Sequence, residues 1–279
     1  MTDLSQPQPP LATGDRPSTA ALLEVAVRAA RRAGDHALRH RARRTETLLI
    51  AQHDIKLALD VECQALAAET IADAFPAHGL LGEEGAPTAT LPEWHWVVDP
   101  IDGTVNFAHG QAVWCCSIAA RRGETVLAGA VYAPELDRLY TATHDGPACC
   151  NGRRLQVSDI DRLDRAIVQT GADKSSRPED QPFRYFAAIA AKAQRPRISG
   201  SAALDLCEVA RGGAEAYFEP GIFIWDVAAA SLILERAGGC CAVLWRDPRD
   251  PHRMAFVGAN RAALRDALKA LVEPLLPEP

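Results

Sequence analysis

The chain has 279 residues, 48% hydrophobic and 24% charged, with a formal net charge of −6 at pH 7. That length can bury a substantial core, while the acidic balance, with Lys and Arg spread along the chain, gives no basic footprint for nucleic acid. No segment reaches the roughly 20 apolar residues that a membrane-spanning helix needs, so no membrane partner is expected.

Residues 1–17 carry four prolines among Gln, Asp, Gly and Ser, a composition that predicts a disordered lead-in. The same stretch lacks the apolar core of a signal peptide, which points to a cytoplasmic protein. From 18 to 44 the pattern predicts one long amphipathic helix, with Leu22, Val25, Ala29 and Ala33 on its buried face and Arg28, Arg31 and Arg32 mostly opposite. Arg41, Arg43 and Arg44 read as a solvated helix end. A second helix is expected over 60–74, closing at Phe75-Pro76.

Strands are predicted over 96–98, 117–121, 125–132 and 138–142, the last two forming a hairpin around Pro134-Glu135-Leu136-Asp137. A strand over 166–170 leads to a polar loop through Pro182, a helix over 183–193 and a strand near 197–198. Then come a helix over 204–211, a strand over 216–219 and a helix over 226–237. Strands over 241–245 and 256–258 and a helix over 259–272 complete the chain. This order indicates an α/β layered sandwich (of the α+β kind) and leaves the strand order open. A soft division falls near residue 150, but no linker marks it, so 18–279 is expected to be a single domain of two closely packed lobes.

Six of the eight cysteines fall in adjacent pairs, Cys115-Cys116, Cys149-Cys150 and Cys240-Cys241. Neighbours rarely bond each other, and the spacing is not that of a zinc site. Reduced thiols acting as small apolar residues are expected.

Chemistry concentrates in Trp96-Val97-Val98-Asp99-Pro100-Ile101-Asp102-Gly103-Thr104. An apolar strand there enters a turn bearing two carboxylates three residues apart. Gly103 permits close backbone approach, and Thr104 brings a hydroxyl to a helix start. Such a turn suits divalent metal ions holding a phosphate; it also suits a plain Asp-Pro turn closed by glycine. Paired carboxylates follow an apolar step in Leu80-Leu81-Gly82-Glu83-Glu84-Gly85. Asp226 lies inside the apolar Ile224-Trp225-Asp226-Val227-Ala228, where burial is costly unless it is paired or metal-bound. Asp226 also fits a helix N-cap.

Gly82-Glu83-Glu84, Asp99-Pro100-Ile101-Asp102-Gly103-Thr104-Val105-Asn106-Phe107 and Trp225-Asp226-Val227-Ala228 together resemble the inositol monophosphatase family of Mg²⁺-dependent, lithium-sensitive phosphomonoesterases. The resemblance runs from about residue 20 to 260. It includes Cys150-Asn151-Gly152-Arg153-Arg154-Leu155-Gln156-Val157-Ser158 and Gly200-Ser201-Ala202-Ala203-Leu204. It implies alternating α-β-α-β-α layers with the site between the lobes. It also implies a homodimer and a small-molecule phosphate monoester as partner.

By the same resemblance, two to three Mg²⁺ ions are held by Glu83, Asp99, Asp102, Asp226 and the backbone carbonyl of Ile101. Asp99 bridges, and a third, weaker ion rests on Glu83 and waters. Thr104 and Asp60 match the pair that orients and deprotonates the attacking water, with Glu83 beside them in the catalytic set; Asp60 also fits an N-cap of the 60–74 helix. The amides of Gly103 and Thr104, together with Asp102 and Asp226, face the phosphate. Gly200, Ser201 and Ala202 match a segment whose backbone and hydroxyl face the inositol ring. Glu219, in Ala216-Tyr217-Phe218-Glu219-Pro220-Gly221, matches a carboxylate that accepts ring hydroxyls, although a Glu before Pro-Gly is usually a surface charge.

Two positions depart from the pattern. Lys56, in Asp54-Ile55-Lys56-Leu57-Ala58-Leu59, stands where many relatives carry an apolar residue, among threonines. Pointing inward, its charge replaces part of the third ion's role and weakens Mg²⁺ dependence and lithium sensitivity; pointing outward, it snorkels to solvent. Phe223 stands where some inositol-specific members have histidine. Inositol monophosphate is therefore the first substrate expected. A 3′(2′),5′-bisphosphate nucleotidase, a fructose-1,6-bisphosphatase and a histidinol-phosphatase are the alternatives, with a non-catalytic binding member a distant one. The nucleotidases typically follow Gly-Thr with Lys-Glu-Phe, where this chain has Val105-Asn106-Phe107.

Overall fold

The structure is a computed structural model and describes residues 16–50, 55–85, 90–171 and 183–276. The lead-in expected over 1–17 lies outside these residues apart from 16 and 17, as does nearly all of the polar loop through Pro182.

The first half runs α1 (Thr19–Arg39), a hairpin of β1 (Thr47–Ile50) and β2 (Ile55–Leu57), α2 (Ala58–Ala74), β3 (Gly79–Gly82), β4 (Trp94–Asp102) and the short α3 (Thr104–Ala108). Then follow β5 (Cys115–Arg122), β6 (Thr125–Ala133), β7 (Arg138–Thr143), β8 (Cys149–Cys150) and β9 (Arg153–Arg154). The second half has β10 (Ile167–Thr170), α4 (Arg184–Ala190), β11 (Arg195–Arg197), α5 (Ala202–Ala210) and β12 (Ala216–Phe223). It closes with α6 (Ile224–Arg236), β13 (Cys240–Asp247), β14 (Asp250–Ala259) and α7 (Ala262–Val272).

Strands β3 to β9 form one sheet in sequence order, with β3–β4 parallel and the other pairs antiparallel. The other sheet has the order β11-β10-β12-β14-β13 and mixes parallel and antiparallel pairs. Strand alternation explains how the layers form. In β4, Trp96 and Val98 pack with Leu22, Val25 and Ala29 of α1 and Leu59, Cys63 and Ile71 of α2. Val97, on the opposite face, joins Leu206 and Val209 of α5 and Val227 and Ile233 of α6. Tyr217 and Phe256 meet that same middle layer from the second sheet, whose outer face buries Val168, Phe218 and Val257 under Tyr185 and Ile189 of α4 and Leu264 and Leu268 of α7. The layers are α-β-α-β-α, as expected. With both faces covered, β4 reads as a continuous apolar run and not as an alternating one.

Three boundaries differ from expectation. The first helix starts at Ser18 as its N-cap but ends at Arg39, not 44. Beyond it a 3-10 turn lets Arg43 reach Glu46 and Glu62, at 2.8 Å each, which draws the chain off the helical path. Helices α2 and α6 each begin two residues early, so Asp60 and Asp226 fall in the first turn and not at the N-cap. The hairpin β1–β2 carries no turn signal that marked it in the sequence. All eight cysteines are free thiols, and among the described residues no helix is long and apolar enough to cross a membrane.

Candidate active site

The parallel pairing of β3 with β4 sets Glu83 beside the end of β4, its amide donating to the Val98 carbonyl at 3.1 Å. Strand β4 ends in Asp99-Pro100-Ile101-Asp102. There Asp99, Asp102 and Asp226 come together, each offering a carboxylate oxygen within 4.8 Å of the others. Asp99 is fully buried. Its Oδ1 accepts from the Ile101 amide at 3.1 Å, while its Oδ2 meets no donor among the described residues and faces the Asp226 carboxylate. Burial, reinforced by the charges of Glu83, Asp102 and Asp226, holds the Asp99 carboxyl well above the usual carboxylate range. Like charges this close need either a proton or a cation, and hard oxygen donors suit Mg²⁺.

The neighbouring turn is built for close approach. Gly103 adopts φ +92°, and a side chain there would meet the Val113 carbonyl at 2.9 Å and the Gly200 carbonyl at 3.3 Å. Gly103 therefore brings the 99–104 turn against the Gly200-Ser201-Ala202 segment. Asn106 ties the same two regions, donating to the carbonyls of Val113 and Ser199, both at 2.8 Å. Thr104 donates its hydroxyl to the Ile101 carbonyl at 2.9 Å. Asp102 crosses to the mouth of α5, where it accepts from the Ser201 hydroxyl at 2.6 Å and the amides of Ala203 at 2.8 Å and Ala202 at 3.2 Å. The Cys115 thiol adds a contact at 3.6 Å; burial and the charges of Asp102 and Asp99 hold it protonated, as a donor.

Asp60 and Asp226 repeat one local device. Each is the third residue of its helix and accepts, through Oδ2, the backbone amide of the residue before the helix: Leu57 at 2.7 Å and Phe223 at 2.8 Å. This is half of a capping box, the reach-back without a side-chain cap from Leu57 or Phe223. Lys56 points inward. Its ammonium pairs with Glu84 and is drawn further by Asp60 and Glu83. Glu84 is itself fixed by Gln64, whose amide group accepts from the Glu84 amide at 2.8 Å and donates to its carbonyl.

Glu219 lies on β12, upstream of Asp226 on the same strand-to-helix connection. It accepts from the buried Tyr217 hydroxyl at 2.7 Å and packs against Gly171, where a side chain would collide with its carboxylate. Near it, Asp205 on α5 is almost fully buried, and burial with the charges of Glu219 and Asp102 raises its carboxyl well above the usual range. Phe223 stacks on Trp225 with ring centroids 4.8 Å apart.

The structure thus gathers Glu83, Asp99, Ile101, Asp102, Gly103, Thr104, Gly200, Ser201, Ala202 and Asp226 around the end of β4. Asp60 adjoins on the Lys56 side and Glu219 lies past Asp205. Sequence reasoning missed Gln64, Cys115 and Asp205; none has a local signal, because each acts across the fold. Asn106 and Tyr217 lay inside recognised segments without a role. A surface hollow of about 540 Å³, lined by Arg154, Gln156, Glu235 and Arg236, lies at the far end of α6 and holds none of these carboxylates.

The description "Inositol monophosphatase family" matches residues 18–275. An inositol-1-monophosphatase of Mesorhizobium japonicum is 33% identical over 259 residues, covering 91% of this chain and 97% of that protein. The Nus factor SuhB of Vibrio cholerae is 35% identical over 222 residues, or 78% and 83%. The solved inositol monophosphatase from Anabaena superposes with a TM-score of 0.79 at 30% identity, covering 92% of this chain and 97% of that one. The sequence motifs, the layer order and these matches agree: the chain belongs to the inositol monophosphatase family.

Proposed function

We propose that the chain hydrolyses a phosphate monoester in a Mg²⁺-dependent reaction, with inositol monophosphate as the substrate and inositol and phosphate as products. The observation that carries this reading is the trio Asp99, Asp102 and Asp226, with the Asp99 oxygen buried and facing no donor among the described residues. Glu83, Asp99, the Ile101 carbonyl, Asp102 and Asp226 would hold two to three ions, with Asp99 shared. When bound, Mg²⁺ neutralises phosphate oxygens, lowers the pKa of the attacking water and stabilises the leaving alkoxide.

The chain's own groups supply position. Thr104 and Asp60 orient the water and take its proton; both are held, Thr104 by the Ile101 carbonyl and Asp60 by the Leu57 amide. The amides of Gly103 and Thr104, presented by a left-handed turn, receive phosphate oxygens. Gly200 and Ala202 line the leaving-group side through their backbone. Ser201 contributes through Asp102, to which its hydroxyl is donated. Glu219 selects a polyol because adjacent hydroxyls can donate to one carboxylate, and Tyr217 fixes one of its oxygens. On this reading 18–279 works as one domain, in a cytoplasmic homodimer, and lithium inhibits it.

The stacked Phe223 and Trp225 favour a second reading. An aromatic surface near Asp226 suits an ester with an aromatic leaving group, such as histidinol phosphate or adenosine 3′,5′-bisphosphate. Phosphate release from these two, inositol 1-phosphate and fructose 1,6-bisphosphate, under saturating Mg²⁺ with and without lithium, decides between them. Preference for inositol 1-phosphate supports Glu219 as the selecting residue. Preference for an aromatic ester keeps the chemistry and changes the substrate. No release from any of them removes the catalytic reading.

A further inference from the structure

Lys56 comes from β2, where it pairs in register with Leu49 of β1, and its neighbour Leu57 is fully buried. Alternation along a strand turns Lys56 away from that core, and its stem is partly exposed. Its ammonium nevertheless ends on Glu84, whose side chain is only 9% exposed. Glu84 cannot swing out to meet solvent: Gln64 of α2 grips its backbone at both amide and carbonyl, and Glu83 beside it is tied to β4. Asp60 is fixed through the Leu57 amide, one residue beyond Lys56. Three carboxylates, Asp60, Glu83 and Glu84, thus converge on one lysine that the backbone cannot withdraw.

We propose that Lys56 is a built-in cation of the active site: its ammonium takes the place of one metal ion on the Asp60–Glu83–Glu84 side, so that the chain binds about two divalent ions where an apolar residue at this position would admit a third. A fixed monovalent charge a few ångströms from a candidate ion position repels a divalent ion and at the same time satisfies the carboxylates that would hold it. Ions held by Asp99, Asp102 and Asp226 lie on the other side of Glu83 and keep their ligands. This rests on the phosphatase reading above, because it assigns the remaining ions to that site.

The test counts ions instead of turnover. Metal-free native protein is titrated with Mn²⁺, and free Mn²⁺ is followed by its paramagnetic resonance signal, with phosphate release measured in parallel. The native chain saturates at about two ions. Lys56→Met gains a further site, binding at least about tenfold tighter than any additional uptake by the native chain, while Lys56→Arg keeps the native count. Three equally tight ions in the native chain would overturn the proposal, whether or not Lys56→Met folds. So would a folded Lys56→Met with an unchanged count. Three ions with Mg²⁺-dependent phosphate release sink only the role of Lys56. No Mn²⁺ binding and no release sink the phosphatase reading itself.

Discussion

The mouths of α2 and α6 carry the same device in different electrostatic surroundings. Asp60 and Asp226 hold the same helix position and accept the same kind of backbone bond, at 2.7 and 2.8 Å. Around Asp226 stand Asp99 and Asp102, a carboxylate group whose buried Asp99 oxygen faces no donor among the described residues. Around Asp60 stand Glu83, Glu84 and the ammonium of Lys56. The bond to the helix is structural at both ends. The surroundings separate an aspartate that needs a metal ion from one placed to handle a proton.

The largest expected effect comes from the crowded side. Asp99→Asn should lower phosphate release by about 10³-fold or more, measured under saturating Mg²⁺, with the fold retained. It should also change stability with pH. The Asp99 carboxyl is held above its unfolded value, so the folded state keeps a proton that the unfolded state gives up. That stability is present below the unfolded carboxylate value and is lost as pH rises through the folded one. Metal-free native protein should therefore weaken on going from acid towards neutral pH in denaturant titrations. Asp99→Asn should flatten this slope, and so should added Mg²⁺. A metal-free native slope identical to that of Asp99→Asn would show that the carboxylates are not in conflict.

A paired substitution sharpens the comparison of the two mouths. Asparagine keeps an oxygen to accept the helix amide, so Asp60→Asn and Asp226→Asn should melt within about 1 kcal/mol of the native chain, judged by thermal denaturation. Their kinetics should diverge. Asp226→Asn should raise the Mg²⁺ concentration for half-maximal rate by about tenfold or more, whereas Asp60→Asn should lower kcat by about 10²-fold with little change in that concentration. Equal shifts in Mg²⁺ requirement would erase the distinction. Gly103→Ala places a side chain at φ +92° and 2.9 Å from the Val113 carbonyl, and should cost about 1–3 kcal/mol of stability in denaturant titration. Glu219→Gln is the mildest change: KM for inositol 1-phosphate should rise about tenfold with the Mg²⁺ requirement unaltered.

The crowded side was also the legible one. Asp99, Ile101, Asp102, Gly103 and Thr104 are consecutive or nearly so, and a strand running into a glycine turn fixes their relative placement locally. The Lys56 side was not legible in the same way. Whether that lysine turns in or out depends on where the 83–84 turn lies, and Gln64 of α2 sets that from 20 residues away. Asp60 and Asp226 were found as residues but misplaced at the N-cap. Helices that start two residues early move the aspartate from capping its own helix to closing it from inside. Asp205 gave no signal, because an acidic residue in an amphipathic segment reads as a solvated face until packing between two sheets buries it. The layer order was legible from the alternation of helices and strands. The hairpin β1–β2, held by three residue pairs, was too short to leave a pattern.

Phosphate release from inositol 1-phosphate by the native chain, followed as Mg²⁺ is raised from zero into the millimolar range, tests the central claim most directly. The carboxylate group predicts no turnover in metal-free solution and a saturable rise with Mg²⁺ that Asp99→Asn abolishes. Turnover independent of added metal, or an Asp99→Asn protein as active as the native chain, would contradict it.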